Sequence, residues 1–456
     1  MQVPRSIFRE YDVRGLVDEQ LTPAFAEHLG RAVTSEGVAR FGRAPVLAVG
    51  RDNRPSGAAL AAALRRGIVA AGGTAIDVGE MPTPALYFAV EALQTDGGIQ
   101  VTGSHNPPEF NGFKMVLGGG SLHGEAIQEL YERIILERYE SGQGSERADG
   151  SILGRYREAI VARHTLARPV SVVVDCGNGV SSLIAIETLR ALGAEVVPLF
   201  AESDGTFPNH HPDPTVPENL VDLQAAVRRH GAELGIAFDG DGDRIGAVDE
   251  SGRPIFGDQL LVLFGRDGVR RFGAGVPVIF DVKCSDVLPQ ALEAAGARPV
   301  MWKTGHSLIK AKMKEEGSPL AGEMSGHMFF GGDWFGFDDA LFAAARLLEI
   351  VADAPGGLAR LLADLPETHA TPEIRVPCPD DRKFAVVEEA ARHFTGLYPV
   401  LTIDGVRISW PDGWGLCRAS NTQPVLVLRF EATSPAARDA HQAEVMAWLA
   451  AHGVQG

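Results

Sequence analysis

Ser104 lies in Val101-Thr102-Gly103-Ser104-His105-Asn106-Pro107-Pro108, which continues through Glu109-Phe110-Asn111-Gly112-Phe113-Lys114. The preceding residues 98–101 are mostly apolar and stop at a small, turn-prone cluster. The hydroxyl is therefore expected on a loop just past a strand, where backbone N–H groups are free. A nucleophile or a phosphate carrier would be placed there. His105 and Asn106 add polar reach, the two prolines stiffen the exit, and Lys114 is expected to return a cation after an Asn111-Gly112 turn. In isolation an ordinary Ser/Asn/Pro turn would read the same.

A second cluster, Asp239-Gly240-Asp241-Gly242-Asp243-Arg244, follows the apolar run 234–238. Three carboxylates at alternate positions, with glycines between, can fold their oxygens around one hard cation. All-oxygen ligands favour magnesium or calcium over zinc, and like charges this close repel unless a cation neutralises them. Asp239, Asp241, Asp243 and Glu250 match EF-hand loop positions 1, 3, 5 and 12. Arg244 replaces the required glycine, however, and the flanks read as strands, so the EF-hand is rejected.

Three further clusters carry polar chemistry. Gly322-Glu323-Met324-Ser325-Gly326-His327 offers a carboxylate, a hydroxyl and an imidazole suited to sugar hydroxyls, or else a capping turn with a surface histidine. Lys303-Thr304-Gly305-His306 adds a cation and a second imidazole. Arg418-Ala419-Ser420-Asn421-Thr422-Gln423-Pro424 brings a guanidinium fork, hydroxyls and an amide without an acid, the donor set that a phosphate dianion requires. Near the start, Arg9, Glu10, Tyr11, Asp12 and Arg14 either face a cleft or form a solvated surface salt-bridge cluster.

These loops need strands to hold them. Residues 45–49, 170–175 and 276–281 read as strands, each followed by a loop and an apolar-periodic helix (58–71, 182–192 and 287–295). The two later units go on to further strands at 195–200 and 298–302. The recurrence predicts three similar α/β domains with mixed to mostly parallel sheets. Their ligands should bind outside the carboxyl ends of the strands. A smaller α+β domain, with strands at 400–408 and 425–431, should close the chain around a central cleft. Boundaries are expected to give domains 1–150, 151–252, 253–367 and 368–456.

With 456 residues, 45% hydrophobic and 22% charged, the chain can bury several cores. A net charge of −17 argues against nucleic acid or an anionic membrane as a partner. Cys176, Cys284, Cys378 and Cys417 are far apart, which predicts reduced, buried thiols rather than a zinc site or a disulfide framework. The first residues lack an apolar leader, and no run of about 18 apolar residues occurs, so a cytoplasmic protein is expected.

Taken in order, Tyr11 to Gly15, Thr102 to Pro107, Asp239 to Arg244, Gly322 to His327 and Arg418 to Pro424 resemble the motifs of the α-D-phosphohexomutase family, in its bacterial phosphomannomutase/phosphoglucomutase branch. The resemblance spans essentially the whole chain. It implies a cytoplasmic isomerase of carbohydrate metabolism that interconverts hexose 6- and 1-phosphates, mannose and/or glucose, through a phosphoserine and a hexose 1,6-bisphosphate that is both activator and intermediate. Ser104 would be the phosphoserine, with Asp239, Asp241, Asp243 and the Ser104 phosphoryl group holding magnesium. Lys114 and His327 would be the acid/base pair, assisted by Arg14 and Arg244. Glu323 and Ser325 would bind sugar hydroxyls. Arg418, Ser420, Asn421 and Thr422 would hold the non-reacting phosphate, and Tyr11, His105, Lys283 and His306 would line the cleft. Gln423 departs from the Glu or Thr of many relatives. Met324 stands where glucosamine-phosphate mutases usually carry Gln. Small sugar phosphates would be the partners of a monomer or weak oligomer. The alternatives are a phosphoglucosamine mutase, a sugar-phosphate phosphatase and a non-catalytic sugar-phosphate-binding protein.

Overall fold

The computed structural model describes residues 3–354, 356–421 and 423–454, so Thr422 lies outside the described residues. Three of its four sheets share one plan. In the first, Val46–Arg51 lies between Thr74–Glu80 and Gly97–Val101, all parallel, and Phe110–Leu117 runs antiparallel beside Gly97–Val101. In the second, Ser171–Asp175 lies between Glu195–Leu199 and Leu234–Phe238, and Ile245–Asp249 is the antiparallel neighbour. In the third, Pro277–Asp281 lies between Arg298–Trp302 and Leu320–Gly322, with Met328–Phe330 antiparallel.

Gly97–Val101 and Leu234–Phe238 are buried along their whole length. Strands covered on both faces read as continuous apolar runs, which is why periodicity located them. The plan agrees with the expected mixed sheets, since each carries an antiparallel strand beside its parallel ones. It corrects the Asn111-Gly112 turn: both residues lie inside Phe110–Leu117 and pair with Gly15 and Arg14. A Cβ on Gly112 would sit 2.5 Å from the Val13 carbonyl oxygen, so glycine here permits close strand approach rather than a turn.

Two further elements differ from expectation. The helix expected over 182–192 opens as a 3₁₀ turn, Val180–Leu183, and becomes α only over Ala185–Ala191. The Ser182 hydroxyl donates to the Gly179 carbonyl at 2.6 Å, offering the backbone a local alternative to the helix ladder. The strand expected over 400–408 splits into Val400–Leu401 and Val406–Trp410, with Gly405 at φ 81° between them. The closing domain is otherwise an antiparallel sheet led by Gly413–Ala419 and Val425–Ala432, with the helices Lys383–Thr395 and Pro435–Ala451.

Helix Pro23–Phe41 starts where the Thr22 hydroxyl accepts from Phe25 N–H at 3.1 Å and proline occupies the first turn. It packs on Gly57–Ala70 through glycines: a Cβ on Gly30 would lie 2.2 Å from the Leu64 carbonyl oxygen, and one on Gly67 2.0 Å from that of Glu27. Helix Ala340–Asp353 is almost wholly buried, and its Asp339 cap accepts from Phe342 N–H, the Tyr156 hydroxyl and the Trp334 indole. The four cysteines are free and buried. Among the described residues no helix is long and apolar enough to cross a membrane.

Because the first-domain helices touch backbone to backbone at Gly67, Gly67→Val should lower folding stability by about 1–3 kcal/mol. Urea unfolding should register this as a lower midpoint, and an unchanged midpoint would mean that the helix pair can separate freely.

Candidate active site

In each of the three similar sheets the loop of interest is the same connection, from the last parallel strand to its antiparallel neighbour. Residues 102–109 join Gly97–Val101 to Phe110–Leu117, residues 239–244 join Leu234–Phe238 to Ile245–Asp249, and residues 323–327 join Leu320–Gly322 to Met328–Phe330. In the closing domain, residues 420–424 join two antiparallel strands. Three equivalent loops and one similar loop therefore face one another across the domains.

Ser104 is buried and sits at φ 52°, a left-handed conformation that a serine holds only under constraint. The constraint is visible. Its N–H donates to Thr102 Oγ1 at 2.8 Å, and Thr102 in turn donates to Asp52 Oδ2 at 2.7 Å. The Arg54 guanidinium, fully buried beside Asp52, donates to the carbonyls of Ser104, Asn106, Pro107 and Phe110. One side chain thus fixes the whole loop. Ser104 Oγ donates to Asp239 Oδ2 at 3.3 Å and lies 3.2 Å from His105 Nδ1. Burial, then the cations of Arg244 and Arg14, holds the His105 imidazole well below its ordinary range.

The second loop folds around its own first aspartate: Asp239 Oδ1 accepts from the N–H groups of Gly242, Asp243 and Arg244 at 3.0–3.1 Å. Gly240 presses on the first domain, where an added Cβ would lie 2.4 Å from the Ser104 carbonyl oxygen. Lys114 Nζ, from the first domain, donates to Asp241 Oδ2 at 2.7 Å and to Asp243 Oδ2. Burial opposes the ammonium charge, but the carboxylates of Asp241, Asp243 and Asp239 outweigh it and hold Lys114 above the lysine range.

These residues fit a divalent cation. Asp239, Asp241 and Asp243 each offer an oxygen within 4.8 Å of the others, all three are buried, and Asp241 Oδ1 and Asp243 Oδ1 have no hydrogen-bond partner. Burial and the like charges of Asp241 and Asp243 drive Asp239 well above the carboxylate range, against the pull of Arg244 and Lys114, and a cation bound at the loop would reverse that direction.

The third loop crosses to the second domain. Ile245 N–H donates to the Gly326 carbonyl at 3.0 Å, and Arg244 Nε donates to His327 Nε2 at 3.0 Å. His327 is buried, which corrects the surface-histidine reading. His306 stacks on it with ring centroids 5.7 Å apart, and burial lowers the His306 imidazole well below its usual range. Glu323 is buried and accepts from Gly305 N–H at 2.6 Å, and Ser325 is half-buried in the same loop. Lys303 is exposed.

At the mouth of the cleft, Tyr11 donates to the Thr304 carbonyl at 2.8 Å and accepts from Asn421 Nδ2 at 2.6 Å, linking the first, third and fourth domains. Arg418 Nε donates to Asp404 at 2.9 Å. The Ser420 hydroxyl accepts from Gln423 N–H, while the Gln423 side chain turns outward to Arg375. Lys283 lies 3.3 Å from Glu373. Arg14 reaches Asn106 at 3.0 Å and Asp12 at 2.5 Å, with Asp12 buried, so it faces the Ser104 loop rather than a surface salt-bridge cluster.

Sequence reading passed over four residues that hold this site together. Arg54 and Asp52 lie in a loop that reads from sequence as a connector, and only their burial shows otherwise. Asp281 ties three loops, accepting from Met324 N–H, Thr304 Oγ1 and the Cys284 thiol. Asp338 lies 3.1 Å from His327 Nδ1. It stands in a glycine-rich stretch with no periodicity to mark it.

Comparison with known proteins agrees along the whole chain. Residues 5–140, 154–252 and 256–369 match alpha/beta/alpha domains I, II and III of the family Phosphoglucomutase/phosphomannomutase, and residues 373–447 match its C-terminal domain. The chain is 52% identical over 432 residues to a phosphomannomutase/phosphoglucomutase of Pseudomonas aeruginosa, covering 94% of this chain and 92% of that protein. It is 46% identical over 444 residues to a phosphoglucomutase of Neisseria gonorrhoeae, covering 95% of each. A solved phosphoglucomutase/phosphomannomutase family protein from Burkholderia thailandensis superposes with a TM-score of 0.91 at 46% identity, over 99% of this chain and 98% of that one.

Removing the ammonium leaves buried carboxylates unbalanced. Lys114→Met should cost about 3–5 kcal/mol of folding stability in a chelator, part of it regained on adding millimolar magnesium. Thermal unfolding with and without magnesium measures both, and a variant whose stability ignores the cation would exclude a cation site at this loop.

Proposed function

The chain belongs to the phosphoglucomutase/phosphomannomutase family and is a phosphohexomutase, and we propose that Ser104 carries its phosphoryl group between the two ends of a mannose or glucose phosphate. The observation that carries this reading is the junction of Ser104 Oγ with Asp239 and of Lys114 with Asp241 and Asp243, two domains meeting at one buried point. A nucleophile, a cation loop and a separate phosphate-donor loop on different domains suit a transfer in which the substrate must be held at both ends.

In the forward step the P–Oγ bond at Ser104 breaks as a bond forms from phosphorus to a sugar hydroxyl oxygen. The hydroxyl proton passes to one of the pair Lys114 and His327, and the other protonates Ser104 Oγ. Magnesium on Asp239, Asp241 and Asp243 would supply positive charge that draws electron density from the moving phosphoryl group. Glu323 and Ser325 bind sugar hydroxyls, and Arg418, Ser420, Asn421 and Thr422 hold the phosphate that does not react. Tyr11, Arg14, His105, Arg244, Lys283 and His306 line the path, and Arg14 and Arg244 add charge for the phosphoryl oxygens. The hexose 1,6-bisphosphate turns over within the cleft and returns its other phosphoryl group to Ser104. Closure around it keeps water from the phosphoserine. Met324 supports the mannose/glucose branch, and charged sugar phosphates suit a cytoplasmic enzyme.

Phosphorus NMR with magnesium, a trace of glucose 1,6-bisphosphate and mannose or glucose 1-phosphate in parallel tubes should show both becoming 6-phosphates. Ser104→Ala should remove at least about 10³ of the rate. Inorganic phosphate appearing in step with substrate loss would favour a phosphatase, ligand binding without exchange a binding protein, and conversion of glucosamine 1-phosphate alone the amino-sugar branch.

A further inference from the structure

We propose that Asp338 is the positioning residue for His327, holding its imidazole with the proton on Nδ1 so that Nε2 is the atom that takes the sugar hydroxyl proton. The inference rests on the reading of His327 as one of the two proton carriers.

A guanidinium has donors and no acceptor, so the contact at 3.0 Å from Arg244 Nε requires a lone pair on His327 Nε2. A neutral imidazole with a lone pair on Nε2 carries its proton on Nδ1. Two carboxylates lie beside Nδ1, Asp338 Oδ2 at 3.1 Å and, farther off, Asp243 Oδ1 at 3.7 Å, close enough to stabilise its proton although neither is aligned as a hydrogen bond here. Asp338 is fully buried and cannot swing to water. Its other oxygen accepts from Lys310 Nζ at 3.0 Å, which turns Oδ2 toward the imidazole, and His306 Nδ1 lies 3.7 Å from that same oxygen. Backbone geometry fixes the partners in turn. Asp338 immediately precedes the cap of helix Ala340–Asp353, Phe329 pairs with Asp338, and Arg244 pairs with His327 across the second and third domains.

The consequence is a division of labour. When substrate phosphate draws Arg244 away, Nε2 is left as a bare lone pair. The sugar hydroxyl proton moves to Nε2 as the oxygen attacks phosphorus, giving an imidazolium that Asp338 stabilises through Nδ1. Lys114 then delivers its proton to Ser104 Oγ. The return transfer reverses both movements, so no proton is lost over the cycle.

The first test needs no variant at Asp338. Multiple-bond proton–nitrogen NMR of ¹⁵N-histidine-labelled protein, with His327 assigned from its absence in His327→Gln, should show the Nδ1–H form in the magnesium-loaded enzyme. The Nε2–H form would overturn the proposal. The second test is kinetic. In Asp338→Asn an amide N–H can face Nδ1 and place the proton on Nε2 against Arg244, so kcat should fall by about 10²–10³ while KM stays within about threefold. Asp338→Glu keeps a carboxylate oxygen available to Nδ1 and should recover at least about tenfold of that loss. A kcat for Asp338→Asn within threefold of the parent, or an Asp338→Glu no faster than Asp338→Asn, would overturn the proposal. If His327→Gln keeps its turnover, the proton-carrier reading itself fails. If His327→Gln is slow and Asp338→Asn is not, only the positioning role fails.

Discussion

Three carboxylates removed from water at one loop are the constraint around which the protein is arranged. Asp239, Asp241 and Asp243 repel one another strongly in a low-dielectric interior, and in their own loop the Arg244 guanidinium offsets part of that. Further countercharge comes from Lys114 on a strand of the preceding domain, so the first two domains are locked together by electrostatics as much as by apolar packing. The same lock brings Ser104 against Asp239, and Gly240 lets the two backbones meet where any side chain would force them apart. A site that must hold a cation beside a phosphoryl group is thereby built from two domains rather than one.

The three similar sheets explain how one architecture supplied unlike chemistries. Each presents the same connection at the same edge, and each fills it differently: a hydroxyl at Ser104, carboxylates at Asp239 to Asp243, and a carboxylate with an imidazole at Glu323 to His327. Neighbouring copies then bond loop to loop, as Arg244 does with His327. The antiparallel last strand does this work, because a hairpin connection carries its residues directly past the carboxyl ends of the parallel strands, where βα loops also converge.

The first half of that plan was legible in the sequence and the second half was not. Residues 170–175 and 276–281 announce themselves as buried apolar runs followed by helical periodicity. Leu320–Gly322 and Met328–Phe330 span three residues each, too short for any period to register. Lys114 was singled out for its charge, yet its place was misread: Asn111-Gly112 carries turn chemistry, and only the pairing with Arg14 and Gly15 reveals a strand squeezed between neighbours. Arg54, Asp281 and Asp338 stayed silent for a different reason. A buried charge is recognisable only by its partners, and theirs lie 11 to 52 residues away along the chain.

The ties around the cleft are unequal, and their inequality bears on how a bisphosphate can turn within it. Between the first two domains the tie is buried charge, and leaving one partner uncompensated costs about 3–5 kcal/mol. Across the mouth, from the first domain to the other two, the ties at Tyr11 are hydrogen bonds from a phenol to the Thr304 carbonyl and from the Asn421 amide to the phenol. Neutral bonds of this kind contribute about 0.5–1.5 kcal/mol each, because water replaces them when they part. The fourth domain can therefore part from the first at a few kcal/mol while Ser104 keeps its place against the aspartates, whereas the third stays packed on the first through Tyr87 and Phe88 against Phe337 and Trp334. A ligand with an anion at each end suits that arrangement: one wall held by buried charge and packing, and one that gives way without unfolding anything.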